Sequence, residues 1–171
     1  MRARLFLAVA VTLLAVSVPG RGLNADPGFS NKDLSGGYSG SGTGLLWFTP
    51  PGGSPPPFKL DLVTTSFTRY DGAGTCTGSV SQAQAPTFGG APLATCTGTF
   101  SCTYSVNSDG TGTSTYTLTY TSGPCINSIV TDSFVLGERG ELVNSVVTSD
   151  TIPAVDGTVT SIVAKETKTR Q

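Results

Sequence analysis

Histidine is absent from all 171 residues, and methionine and tryptophan occur once each. Without an imidazole the chain cannot build a Ser-His-Asp or Cys-His arrangement, and most zinc sites lose their commonest nitrogen ligand. Charged side chains make up only 12% of the sequence and neither sign clusters, so no electrostatic footprint for nucleic acid or anionic lipid is present. Lys and Glu, which favour helices, are scarce, whereas Ser and Thr number 45 and Gly 22. That balance argues against a helix-rich fold. With no helix expected, no glycine loop is placed to cradle a phosphate at a helix N-terminus.

Long apolar runs are also missing, with one exception. Leu5 to Val18 is apolar over fourteen residues, follows the basic start Met1-Arg-Ala-Arg4 and is closed by Pro19-Gly20. That is the length and flanking of a secretory signal, and it is too short to cross a bilayer as a helix. Cleavage after Ala25 is preferred, although it leaves Leu23 at the minus-three position. Cleavage after Gly22 is the alternative. No cysteine lies near either site, which disfavours a lipoprotein. The expected organisation is a signal peptide over 1–25 and one domain over 26–171, exported to the periplasm or beyond. The mature chain then carries seven basic and eleven acidic side chains. About 146 residues is one domain with a real core.

What is there in abundance is alternation. From Thr95 to Thr121 the even positions carry Cys96, Phe100, Cys102, Tyr104, Val106, Tyr116, Leu118 and Tyr120, and the odd positions are almost all Thr or Ser. A period of two predicts paired antiparallel strands with the even face buried. Asn107-Ser-Asp-Gly110 supplies the turn between them.

Four cysteines in an exported chain predict two disulfides. A loop centred near Gly89 places Cys76 opposite Cys102. The NSDG turn, taken as a four-residue turn, places Cys96 opposite Thr121, close to Cys125. The expected pairs are therefore Cys76–Cys102 and Cys96–Cys125, structural staples rather than reactive thiols, since there is no CxxC pair.

The remaining strands follow from the same alternation and from turn residues. A polar leader, Asp26 to Lys32, precedes a glycine-rich first strand over Asp33 to Phe48, and Pro50 to Pro57 is a stiff loop. Phe58 to Tyr70 is a second strand whose apolar parity shifts from Leu60 and Leu62 to Val63 and Phe67, predicting a bulge or a segment covered on both faces. Thr75 to Gln82 is the third strand and Gln82 to Ala94 a loop. The hairpin contributes the fourth and fifth. Ile129 to Leu136, Glu141 to Ser149 and Thr158 to Glu166 are the sixth to eighth, with a turn at Gly137 to Gly140 and a connection at Pro153 to Gly157. The last five residues are expected to fray. The expectation is an all-β, eight-stranded antiparallel β-barrel, with a two-sheet β-sandwich as the alternative. Its threonine-rich outer face disfavours insertion into a membrane.

Leu34-Ser-Gly-Gly-Tyr38-Ser, Tyr70-Asp-Gly-Ala-Gly74, Tyr104-Ser-Val-Asn-Ser-Asp-Gly-Thr-Gly112 and Val163-Ala-Lys165 together resemble small exported bacterial proteins with an allene oxide cyclase barrel-like domain. The resemblance spans most of the mature chain and rests on glycine and turn signatures. It implies an eight-stranded antiparallel barrel with an interior sized for a small molecule. The plant enzymes for which the domain is named cyclise a fatty-acid epoxide without a cofactor. Their polar pocket residues have no match at positions in this chain, so that activity does not carry over.

Asp71, Asp109 and Asp156 each precede a glycine and read as turn residues. Two other charges are harder to place. Arg69 lies within a strand beside Tyr70. Asp132 shares the even face of its strand with Val130, Phe134 and Leu136, so either it is solvated and that face is turned outward, or it is buried and needs a partner. In the second case Asp132 anchors a pocket walled by Tyr104, Tyr116, Tyr120 and Phe134, binding a small lipophilic molecule. Three functions follow: a ligand-binding barrel, a cofactor-free cyclase or isomerase working by proton transfer, and a filled structural or surface-interaction barrel. No cofactor or metal is expected in any of them. No oligomeric state is legible.

Overall fold

The hairpin that dominates the sequence closes one residue later than a four-residue turn would. The Asn107 N–H donates to Thr111 O at 2.8 Å and the Gly110 N–H to Asn107 O at 3.0 Å, leaving a three-residue loop with Gly110 at φ +85°. This is a hydrogen-bonded β-turn followed by a left-handed residue, a conformation glycine adopts without a Cβ penalty. Facing residues are therefore Cys102 with Tyr116 and Val106 with Gly112, even with even, as two strands with the same buried parity require. A four-residue turn would have set even against odd.

The computed structural model describes residues 28–48, 58–86, 94–137, 140–151 and 159–171. A 3-10 turn, η1 (Asn31–Asp33), precedes β1 (Ser35–Phe48), β2 (Phe58–Asp71), β3 (Thr75–Pro86), β4 (Ala94–Val106), β5 (Thr111–Ser122), β6 (Ser128–Gly137), β7 (Leu142–Thr151) and β8 (Val159–Arg170). Each strand pairs antiparallel with the next, and β8 pairs with β1, so the sheet is a closed eight-stranded barrel. Closure leaves no edge strand to recruit a neighbour. The signal segment, Pro50 to Pro57, most of the loop before Ala94, and Asp156 lie outside the described residues.

Several strand boundaries and the interior of one strand differ from the sequence reading. Residue 33 belongs to η1, and β1 begins at Ser35. Strand β3 continues to Pro86, with Gln82 to Gln84 paired against β2 and β4. In β2 there is no bulge: the ladders on both sides run in unbroken register. Val63 and Phe67 simply point outward, 54% and 46% exposed, while Leu62, Thr68 and Tyr70 face the core. The largest difference is at the C-terminus, where β8 reaches Arg170 and Lys168 is 2% exposed. The final residues are strand, not a frayed tail.

One end of the barrel is shut by residues 28–34. Asn31 Oδ1 accepts from the Val106 N–H at 2.8 Å, and the Phe29 N–H donates to Ser108 O at 3.1 Å. Beneath this cap Leu34 and Tyr38 are fully buried, and Tyr38, Tyr70 and Tyr104 stack edge to face with centroids 5.3 and 5.1 Å apart. Such pairs add about 0.5–1.5 kcal/mol each beyond area burial. The disulfides Cys76–Cys102 and Cys96–Cys125 form as expected, the first between directly facing residues of β3 and β4.

A bulge in β7 decides which side chains enter the interior. Val143 and Ser145 are buried at odd positions, but the pairing shifts so that Asp132 faces Val147 and Val130 faces Asp150. Thr148 lies in the shift, with its hydroxyl donating to Thr131 O at 3.1 Å. The extra residue reverses the parity and turns Asp150 inward.

Candidate functional site

Above the tyrosine floor, four strands deliver polar groups to one place. On β8 the two-residue repeat puts Glu166 and Lys168 on the inner face together. Lys168 Nζ lies 3.0 Å from Tyr116 Oη, 3.3 Å from Tyr70 Oη and 3.3 Å from Glu166 Oε2. Ser66 of β2 donates its hydroxyl to Glu166 Oε1. On β5 and β6, Ser114 and Asp132 are a directly facing pair, and Ser114 Oγ donates to Asp132 Oδ1 while lying 3.1 Å from Tyr116 Oη. A continuous chain of polar contacts thus runs from Glu166 through Lys168, Tyr116 and Ser114 to Asp132.

The glycines of β1 make room for this chain. A Cβ on Gly40 would sit 2.6 Å from Glu166 Oε1, 2.7 Å from Ser66 Oγ and 2.8 Å from Lys168 Cγ. We expect Gly40→Ala to lower stability by about 1–3 kcal/mol, the range for overpacking a filled interior. Urea unfolding measures this, and an unchanged midpoint would mean that the cluster shifts freely.

Burial and partners set the protonation states. Burial pulls Lys168 down, but the Tyr116 oxygen, the Glu166 carboxylate and the Tyr70 oxygen outweigh it, so its pKa stands well above that of an ordinary lysine. Tyr70 is pushed well above the usual phenol value by burial. Asp132 is raised by burial, against the lowering effects of the Ser114 hydrogen bond and the Lys168 charge. A carboxyl raised on folding favours the folded state fully below its unfolded pKa, and that contribution is lost as pH rises through the folded value. Asp132→Asn, which does not titrate, should therefore gain stability relative to the parent as pH rises from 4 towards 7. A denaturation series across that window tests the sign: a flat or falling difference would refute it.

The cluster borders a cavity of about 110 Å3 whose other walls include Leu62, Val80, Phe100, Leu118 and Val130. A second chamber of about 230 Å3, towards the end opposite the cap, shares Leu62, Gln82, Leu118 and Val130 with it and adds Tyr120, Ile126 and Asp150.

The sequence-based pocket residues are distributed over three levels. Asp132, 3% exposed, and Tyr116 line the lower cavity together. Tyr120 is in the upper chamber, its hydroxyl donating to Gln82 Oε1 at 2.9 Å, and burial and nearby Asp150 push it up to about 12. Tyr104 belongs to the floor, donating to Leu34 O at 2.8 Å, and Phe134 packs over Gly112 in the core; neither borders either chamber. Arg69 is exposed. Asp71 and Asp109 are turn acceptors: Asp71 Oδ1 takes the N–H groups of Ala73, Gly74 and Thr75, and Asp109 Oδ1 that of Thr111.

Lys168, Glu166 and Asp150 are missing from the sequence-based set. Thr167 and Thr169 carry the same outward threonine signature as the central hairpin, and extending it would have placed Glu166 and Lys168 inside. Among the described residues no group of three His, Cys, Asp or Glu side chains could hold a metal ion. The chain matches no protein-family model, no curated protein and no solved structure.

Proposed function

We propose that this chain is an exported binding protein for a small, largely apolar molecule held inside the barrel. The observation that carries the reading is the pair of adjoining chambers, which share Leu62, Gln82, Leu118 and Val130 as walls and have polar groups at the base. A barrel serving only as a scaffold has no need for a buried lysine, three buried or half-buried carboxylates and unfilled volume, since each polar burial costs stability that apolar filling would not. Two disulfides accord with an oxidising compartment, and the N-terminal apolar run with export.

Native mass spectrometry of the protein isolated from its own source tests the reading. A small molecule that remains bound in the gas phase and leaves on denaturation is the expected result. Repeated isolation without one, together with no binding of six-carbon apolar probes, would favour a filled structural barrel.

A second reading, a cofactor-free isomerase related in kind to the cyclase resemblance, draws support from one feature. Tyr116 Oη borders the cavity beside the Lys168 ammonium and is linked through Ser114 to Asp132, a route for moving a proton without a cofactor.

A further inference from the structure

Across the two adjoining chambers, charge is unequal. Lys168 is the buried ammonium of the lower chamber, and its contacts are already taken by Glu166, Tyr70 and Tyr116; Lys165, on the same wall, is exposed. Against Lys168 stand Glu166, Asp132 and, in the upper chamber, Asp150. No lysine or arginine is among the described residues that line the upper chamber.

Asp150 is the unfinished group. Its Oδ1 is sealed from solvent and has no hydrogen-bond partner among the described residues; burial raises the carboxyl's pKa, and the Ser128 hydroxyl works against that. The neighbouring donors are used elsewhere: the Tyr120 hydroxyl donates to Gln82, and Gln84 Nε2 donates to Cys125 Sγ at 3.2 Å. A buried acceptor left without a donor is costly, and the carboxyl that carries it lines the upper chamber. The bulge at Thr148 is what brings it there.

We infer that the upper chamber takes a ligand with an apolar body and a cationic ammonium head, the head donating to Asp150. This rests on the binding reading above and names the chemical class of its ligand. An ammonium supplies both the missing donor and the missing positive charge. A carboxylate ligand would meet Asp150 and then Asp132 and Glu166, with Lys168 already engaged. As for size, a cavity of roughly 150 Å3 admits benzene. The upper chamber, at about 230 Å3, therefore has room for a short alkyl chain.

The test is calorimetric titration of the full, disulfide-bonded chain at neutral pH with n-hexylamine, 1-hexanol and hexanoate. Hexylamine is expected to bind at least about tenfold more tightly than hexanol, the difference a charge-assisted hydrogen bond makes over a neutral one. Hexanoate is expected to bind most weakly. Asp150→Asn should remove the advantage, bringing hexylamine to the level of hexanol, whereas Asp61→Asn, at an exposed carboxylate of β2, should retain it. Hexanoate binding as tightly as hexylamine, or an amine advantage that survives Asp150→Asn, would overturn the inference. Hexanol binding with no amine preference would overturn it while leaving the binding reading intact. Binding of none of the three would overturn both.

Discussion

Lys168→Ala is expected to destabilise the barrel by about 3–5 kcal/mol, the cost of stripping a buried charge of its partner. The ammonium is 2% exposed and holds together oxygens from three strands, Tyr70 on β2, Tyr116 on β5 and Glu166 on β8. Without it, Glu166 keeps Ser66 as a donor but loses its counter-charge, and Asp132 loses the attraction that offsets part of its burial. Asp132 would then take up a proton more readily on folding, and the variant should recover part of its deficit in acid. Lys168→Met combined with Glu166→Gln removes both charges and keeps much of the volume. It should be markedly more stable than Lys168→Ala, because an apolar or neutral replacement of a buried pair often matches the pair itself. Equilibrium urea unfolding at constant m-value reads all three proteins. A loss below about 1 kcal/mol for Lys168→Ala would mean that water reaches the cluster and screens it, as at a surface pair.

The barrel and its staples were legible because they depend on parity and on turns. A threonine at every second position marks an outer face wherever it occurs, and two cysteines on opposite strands of a hairpin announce their own register. The central turn shows the limit of this: the register depends on whether Gly110 ends the turn or sits within it, a one-residue question that only the shared even parity of Tyr104 and Tyr116 could answer. Val63 and Phe67 misled for a different reason. Hydrophobicity suggests burial, yet isolated apolar residues are common on protein surfaces, and the Phe67 ring lies outside, covering Gly37. The polar interior was the least legible part. Glu166 and Lys168 look like a soluble tail when composition is read, and like the inner face of a strand only when the alternation with Thr167 and Thr169 is followed to the end of the chain. Asp150 had no signal at all. Its direction is set by the bulge at Thr148, and neither glycine nor proline marks that position.

Loss of the disulfides is the other large effect to be expected. Cys76–Cys102 and Cys96–Cys125 close segments with sequence separations of 26 and 29 residues. On the loop-entropy model each is worth about 3.5 kcal/mol. Removing both should therefore take away roughly 7 kcal/mol, a large part of the 5–15 kcal/mol that holds an ordinary domain together, and reduction by dithiothreitol should unfold most of the chain at 37 °C. The two bonds should not fail alike. Cys76 and Cys102 are in the core, beside Tyr70 and Tyr116 in the ladder, so Cys76→Ala with Cys102→Ala loses buried contacts as well as the cross-link. Cys96–Cys125 instead ties β4 to the segment that leads into β6, where the β4–β5 pairing already shifts at Thr97 and Gly98. Cys125 also borders the upper chamber and accepts from Gln84. Cys96→Ala with Cys125→Ala should therefore speed amide exchange over 122–128 and weaken hexylamine binding, while the floor at Tyr38, Tyr70 and Tyr104 stays protected. Equal loss of protection at both ends of the barrel would show that the barrel unfolds as one unit, with the cross-link at the mouth acting on the whole rather than on the chamber beside it.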